Sequence, residues 1–285
     1  MDEPALDKQI EYIVTLALRE DIGQGDITTD AIYSGREAIE AEFIAKQNGV
    51  VAGLEVVRYI FSQLDSSIDF STDLSDGDSI KRGQLIASAR GPANVILTGE
   101  RTALNFMQRM SGIASRTRYF VDLIEGTGAT ILDTRKTVPG HRHLDKWAVR
   151  LGGGDNHRMG LYDRYLIKEN HINVAGSVTE AINRCARHRQ DLQNKPLIEV
   201  EVKNLKEAEQ AANHADSDIL LLDNMSLTDM AEAVSKFKGA KKLEASGNVS
   251  HETVRSIAET GVDYISVGEL THSVQALDIS LLFVD

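Results

Sequence analysis

PLIEVEVKNLKEAEQAANHADSDILLLDN, residues 196–224, decides the fold. Two apolar runs of strand length, LIEVEV (197–202) and DILLL (218–222), flank a segment of helical character. Strand, helix, strand is the parallel βαβ unit with its right-handed crossover. The same rhythm extends in both directions. ATILD (129–133) runs into Thr134-Arg135-Lys136, and RYLI (164–167) runs into Lys168-Glu169-Asn170. KLEA (242–245) runs into Ser246-Gly247, and DYISV (263–267) into Gly268. Helices are expected near 177–188, 204–214, 226–237 and 250–260. Side chains at the carboxyl ends of such strands converge on one mouth, where barrel enzymes keep their active sites. Six decorated strand ends mark an enzyme. Six strands are too few for a standard eight-stranded barrel, so the expected class is α/β, with about six parallel strands in a barrel that is either open (incomplete) or closed by other elements.

Upstream, residues 5–20 place Leu6, Ile10, Ile13, Val14, Ala17 and Leu18 on one helical face. Residues 40–90 mix short strand signals with one amphipathic helix, GLEVVRYIFSQL (53–64). The turn Asp76-Gly77-Asp78 leads into IKRGQLIASARG (80–91), which reads as a β-hairpin region. Pro92 opens a long helix through residue 115. The division expected is an N-terminal lobe over 1–111 and the open barrel over 112–285. ALDISLLFV (276–284) is a candidate to return to the first lobe.

Composition excludes several classes. A chain of 285 residues with 42% hydrophobic content can bury one large core or two moderate ones. The single cysteine, Cys185, cannot form an intramolecular disulfide, which suits a reducing compartment. No run approaches the roughly 18 apolar residues of a membrane span. The acidic start MDEPALDKQI lacks the regions of a signal peptide. A cytoplasmic protein is expected.

The net charge of −12 disfavours nucleic acid or an anionic membrane as a partner. Between Ile131 and Lys168, however, eight cations face four acids, so that segment carries +4 and the rest −16. A local positive well in an acidic shell would be felt by a small anion entering a pocket. Arg135 and Arg158 can pair bidentately with carboxylates, while Lys136 and Lys168 suit phosphates as point charges. Several cations imply a substrate with several negative charges. Glu201 and Asp223 can hold sugar hydroxyls, bind Mg²⁺ through water, or stabilise a developing cation. Ser246-Gly247 and Gly268, each expected to lead closely into a helix, suit a phosphate through exposed backbone N–H groups. His141 and His143 read as loop or surface histidines, since no cysteine cluster or HExxH supports zinc. Cys185 and Trp147 read as packing residues.

Cations for a polyanion, acids for a ribose and glycines for a phosphate match a phosphoribosyl donor with an acidic acceptor. DTRKTVPGHRHLDKWAVRLGGGDNHRMGLYDRYLIKENHI (133–172) resembles the signature of the quinolinate phosphoribosyltransferase family. So do EDIGQGDITT (20–29), GERTALNFMQRMSGIAS (99–115), IEVEVKNL (198–205), LLLDNM (220–225), EASGN (244–248) and ISVGELTHSVQALDISL (265–281). The resemblance spans almost the whole chain. It implies an N-terminal α/β sandwich lobe, an open α/β barrel, and a homodimer or higher homo-oligomer. It further implies that quinolinate and phosphoribosyl pyrophosphate, with Mg²⁺ bound mainly through the latter, give nicotinate mononucleotide, CO2 and pyrophosphate for NAD synthesis. On this resemblance Arg135, His157, Arg158 and Lys168 would hold the quinolinate carboxylates, joined by Arg101 from a neighbouring subunit. Lys136 would contact the pyrophosphate beside Thr134, and Glu201 and Asp223 would face the ribose; Lys136, Glu201 and Asp223 are the catalytic set. Ser246, Gly247, Asn248 and Gly268 would cradle the 5′-phosphate, and Val267 is a further substrate-binding residue.

Two positions depart from the pattern. Asn248 stands where many relatives have glycine, and Glu269 follows Gly268 where a small or apolar residue is commoner; its carboxylate is expected to point away from the phosphate. Two other readings carry predictions of their own. A relative of the family acting on another acidic acceptor should alter the set Arg135, His157, Arg158 and Lys168, which is intact here. DGDSIKRGQLIASARG also resembles the hammerhead lobe of biotinyl or lipoyl carriers, but offers no convincing lysine at an exposed hairpin tip.

Overall fold

The computed structural model describes residues 8–33 and 37–284. The chain forms two compact units, one of Met1–Arg118, Thr137–Gly153 and Leu270–Asp285, the other of Tyr119–Lys136 and Gly154–Glu269.

The first unit opens with α1 (Lys8–Ile22), which buries Ile10, Val14 and Leu18 as its helical spacing predicts; Leu6 lies outside the described residues. After α2 (Ile27–Ile32) come β1 (Ala38–Ala45), β2 (Gly49–Val50), α3 (Leu54–Leu64), β3 (Asp69–Ser71), β4 (Ser79–Ile80), β5 (Leu85–Pro92) and α4 (Ala93–Leu123). This unit also takes α5 (Arg142–Leu151) and β12 (Ile279–Phe283). Its main sheet is ordered β12-β1-β5-β3 and is antiparallel. Phe43 packs edge-on against Phe61 and Phe70, so an aromatic cluster joins α3 to the sheet. The expected hairpin over 80–91 does not form. The β4 strand pairs with β2, whereas β5 lies between β1 and β3, and a turn closed by Gln84 N–H to Lys81 O at 3.0 Å separates them. Alternation identifies strands and leaves their partners open.

In the second unit β6 (Thr130–Leu132), β7 (Tyr165–Ile167), β8 (Ile198–Val202), β9 (Ile219–Asp223), β10 (Lys242–Ser246) and β11 (Tyr264–Ser266) make one parallel sheet. Its order is β6-β11-β10-β9-β8-β7, with β6 and β7 left as edges, so the barrel is open as expected. The crossovers are α6 (Glu169–Ala175), α7 (Val178–Gln190), α8 (Leu205–Ala212), α9 (Leu227–Phe237) and α10 (Val254–Glu259), and the short α11 (Glu269–His272) follows β11. Three of them start where the sequence writes a cap. The side chains of Ser177, Asn204 and Ser226 accept from the amides of Glu180, Glu207 and Asp229 at 3.1, 3.0 and 3.1 Å. The α6 helix was not expected from the sequence; it buries no residue, so no apolar stripe announces it.

Strand register decides which side chains share a face. Glu201 pairs with Leu221, Leu221 with Glu244, and Asp223 with Ser246. With period two, Glu199, Glu201, Asp223, Glu244, Ser246 and Ser266 line one face of the sheet. The opposite face carries Val200, Val202, Leu220, Leu222, Leu243, Ala245 and Val267, all fully buried. One side of this sheet is an apolar core, and the other is a polar interior.

Candidate active site

Because all six strands run parallel, their carboxyl ends share one edge of the sheet. The order of strands then places the decorated ends side by side: Thr134, Arg135 and Lys136 after β6, Gly268 after β11, Ser246-Gly247-Asn248 at β10, Asp223-Asn224 at β9, Glu201 on β8, and Lys168 after β7. His157 and Arg158 arrive by another route. Asp155 forms a parallel bridge to Leu132, with its N–H donating to Ile131 O at 2.8 Å, so the 155–158 strip continues the sheet beyond β6. Asp133, fully buried, anchors that strip. Its Oδ2 accepts from Asn156 Nδ2 at 2.6 Å and its Oδ1 from the His157 N–H at 2.9 Å.

The cationic end is under electrostatic pressure. Arg158 is 9% exposed, and burial followed by the neighbouring Arg135 charge pushes its guanidinium below the usual range. The buried Nε of Arg135 has no hydrogen-bond partner. Two guanidinium groups that repel one another, one of them with an unmatched donor, are arranged for an anion. Across the mouth, Lys168 Nζ lies 3.6 Å from Glu201 Oε2, a contact open to solvent on the lysine side. The positive segment read from the sequence divides. Arg135, Lys136, Arg158, Arg164 and Lys168 belong to this unit, whereas Arg142, Lys146 and Arg150 lie on α5 in the other.

At β9 and β10 the loops turn back through positive φ. Asn224 has φ 53°, Gly247 φ 94° and Asn248 φ 51°. A Cβ on Gly247 would sit 2.3 Å from Asn224 Oδ1, so glycine is required by conformation and by space. Asn248 Nδ2 donates to Asn224 Oδ1 at 2.8 Å, and Asn224 Nδ2 to Asp223 Oδ1 at 3.1 Å. Asparagine is among the residues that best tolerate the left-handed region, which accounts for Asn248 at a position favouring glycine. The helix expected near 250–260 forms as α10 (Val254–Glu259), so a loop separates Ser246 from its start. Any anion held there meets loop N–H groups and not a helix start.

Arg101 is an exposed residue of α4 in the first unit. Val267 is buried, and its N–H donates to Leu132 O at 2.9 Å within the sheet. Glu269 is half-buried and opens α11. His141 is half-buried ahead of α5 and stacks on Phe106 with ring centroids 6.0 Å apart.

The sequence reading missed a layer beneath the mouth. Glu199 and Glu244 are fully buried, with His157 Nε2 3.1 Å from Glu199 Oε2 and 3.5 Å from Glu244 Oε1. Arg164 Nη1 reaches the same Glu199 oxygen at 3.3 Å, and Ser266 Oγ donates to Glu244. Burial and then the adjacent Glu199 charge push the Glu244 carboxyl well above the ordinary range. Burial would also raise Glu199, but the hydrogen bond from His157 and the Arg164 charge outweigh it and hold Glu199 low. The pair is therefore one carboxylate and one carboxylic acid. The signal was present in IEVEV, where strict alternation puts Glu199 on the face of Glu201, and in KLEAS, which does the same for Glu244 and Ser246.

Comparison with known proteins identifies the family. The model of the quinolinate phosphoribosyl transferase C-terminal domain matches residues 113–282, and that of the N-terminal domain residues 26–111. A decarboxylating quinolinate phosphoribosyltransferase 1b of Nicotiana tabacum is 43% identical over 287 residues, covering 95% of this chain and 81% of that protein. A probable carboxylating nicotinate-nucleotide pyrophosphorylase of Bacillus subtilis is 42% identical over 274 residues, covering 96% and 93%. The crystal structure of NadC from Streptococcus pyogenes shares 38% identity and superposes with a TM-score of 0.93 over 100% of both chains. The chain belongs to the quinolinate phosphoribosyltransferase family.

Proposed function

We propose that this protein transfers the phosphoribosyl group of phosphoribosyl pyrophosphate to quinolinate, yielding nicotinate mononucleotide, CO2 and pyrophosphate. The observation that carries the reading is the pair of mutually repelling guanidinium groups, Arg135 and Arg158, on the same sheet edge as the acidic Glu201 and Asp223. A dicarboxylate relieves the repulsion between the guanidinium groups, and a ribose acquiring positive charge suits the acids.

The steps follow from that placement. Arg135, Arg158 and Lys168 hold the two carboxylates and aim the pyridine nitrogen at C1 of the ribose. Such orientation is worth up to about 7–11 kcal/mol as effective molarity. As the bond from C1 to pyrophosphate breaks, Glu201 and Asp223 stabilise the cationic ribose and Lys136 takes up charge on the leaving group. The nitrogen then bonds to C1 and becomes a pyridinium. Electrons of the bond to the adjacent carboxylate flow into that ring, CO2 departs, and C2 takes a proton from solvent. No covalent nucleophile is needed.

Mg²⁺ is assigned to the substrate. Among the described residues, the buried cluster His157–Glu199–Glu244 has the makings of a metal site, with one oxygen of each carboxylate unpartnered, but its imidazole suits Mg²⁺ poorly, an ion that prefers oxygen ligands and keeps several waters. That fits an ion carried mainly by phosphoribosyl pyrophosphate, where it would neutralise the leaving charge. Ser246, Gly247, Asn248 and Gly268 form the 5′-phosphate cradle, with Thr134 beside Lys136. The homo-oligomer, with Arg101 of one protomer completing the site of another, and the cytoplasmic setting belong to the same proposal. Half-buried Cys185, its thiol pushed up by burial, suits a reducing compartment.

The test is to follow nucleotide formation from phosphoribosyl pyrophosphate and Mg²⁺ with quinolinate or nicotinate. Nucleotide from quinolinate supports the assignment. Product only with a different acid would move the chain to another acceptor.

A further inference from the structure

We propose that Glu199 is a positioning residue, a buried anchor that presents Arg158 to the dicarboxylate through two arms, His157 and Arg164. One arm runs from the Arg158 N–H, which donates to His157 Nδ1 at 2.8 Å, through the imidazole to Glu199 Oε2 at 3.1 Å. The other runs from Arg158 Nη1, which donates to the Arg164 carbonyl at 3.2 Å, through the Arg164 side chain to the same oxygen at 3.3 Å. Backbone and guanidinium of one arginine are thus tied to a single carboxylate oxygen. Below it, Glu244 and Ser266 fix Glu199 in turn.

This changes the role of His157. Its Nδ1 accepts the Arg158 N–H, so it carries no proton, and its Nε2 faces Glu199. With both ring nitrogens engaged and its backbone N–H held by Asp133 at 2.9 Å, the imidazole is a strut. It has no nitrogen left to donate to quinolinate. A guanidinium whose bidentate face must meet a planar carboxylate gains from such fixing, because misorientation forfeits one of two parallel hydrogen bonds. Glu199 is fully buried and touches no substrate itself.

The inference rests on the dicarboxylate reading of the mouth, and its test assumes only that the wild-type protein turns over quinolinate. Glu199→Gln should raise KM for quinolinate about tenfold or more, leaving kcat and KM for phosphoribosyl pyrophosphate within about twofold. In an Arg158→Ala background the same substitution should add nothing further. Wild-type quinolinate KM in Glu199→Gln, equal damage to both substrates, or full additivity with Arg158→Ala would each overturn the proposal. Should Glu199→Gln fail to fold, nitrogen-15 NMR of the wild-type histidines decides. On addition of benzene-1,2-dicarboxylate, which keeps both carboxylates and lacks the ring nitrogen, His157 should retain its bare Nδ1. Protonation of that nitrogen on binding would make His157 a direct ligand and end the strut assignment. Absence of wild-type activity with quinolinate would instead count against the functional reading.

Discussion

Replacing Gly247 by alanine perturbs the proposed 5′-phosphate cradle without touching Arg135 or Arg158. Two costs follow from the geometry. A φ of 94° is unfavourable for any L residue, at about 1–2 kcal/mol. The new Cβ would also lie 2.3 Å from Asn224 Oδ1. A free side chain would swing aside, but this one accepts from Asn248 Nδ2 at 2.8 Å and donates to Asp223 at 3.1 Å. Moving it gives up two hydrogen bonds worth about 0.5–1.5 kcal/mol each. The sum, about 2–5 kcal/mol, divides between folding and binding of the phosphorylated substrate. Steady-state kinetics on Gly247→Ala should show KM for phosphoribosyl pyrophosphate raised tenfold or more, where tenfold is about 1.4 kcal/mol. KM for quinolinate should stay within about twofold, and thermal denaturation should show a lower Tm. Asn248→Gly should be mild, since glycine adopts the same φ and only one hydrogen bond is lost. A Gly247→Ala enzyme with wild-type affinity for phosphoribosyl pyrophosphate would refute the assignment of this loop.

Arg135→Ala should weaken quinolinate use by about 1.5–3 kcal/mol in kcat/KM, the worth of a charge-assisted contact, with a smaller change for the other substrate. Asp76 gives a pH prediction in the first unit. Its Oδ1 accepts from the amides of Gly53 and Leu54 at 2.7 and 3.0 Å, while its buried Oδ2 has no partner, and burial raises the carboxyl from 3.8 to about 6. The folded state then holds a proton that the unfolded chain releases, so this contribution is present below pH 3.8, declines as pH rises towards about 6, and is gone above it. Asp76→Asn keeps the acceptor and removes the charge; urea unfolding at pH 7.5 should show a gain of up to about 3 kcal/mol that vanishes near pH 4. If Arg101 serves a neighbouring subunit, mixing inactive Arg101→Ala and Lys168→Ala protomers should restore partial activity. No recovery despite proven subunit exchange would count against a shared site.

What could be read in the sequence was what depends on local pattern. Six apolar runs ending in polar residues identify the strands, and the parallel sheet then aligns those ends whatever the details of the loops. Caps such as Ser177 and Glu180 mark where helices begin. Pairing was harder to see, because β4 chooses β2 over the adjacent β5 through contacts distant in sequence. The buried layer was overlooked for a different reason. A glutamate inside an apolar strand reads as an exposed face, and only the juxtaposition of β8, β10 and the 155–158 strip shows that Glu199 and Glu244 both meet His157. The loop after Ser246 illustrates a third limit: the helix near 250–260 was legible, but the successive left-handed residues Gly247 and Asn248 before it were not.

The central claim is that one mouth joins a dicarboxylate to a phosphoribosyl cation and then releases the carboxylate next to the ring nitrogen. Quinolinate carrying a carbon-14 label in its 2-carboxylate tests this most directly. Labelled CO2 should appear only when phosphoribosyl pyrophosphate and Mg²⁺ are both present, in equal amount to the nucleotide formed. Label retained in the nucleotide, or CO2 released without the phosphoribosyl donor, would contradict the account.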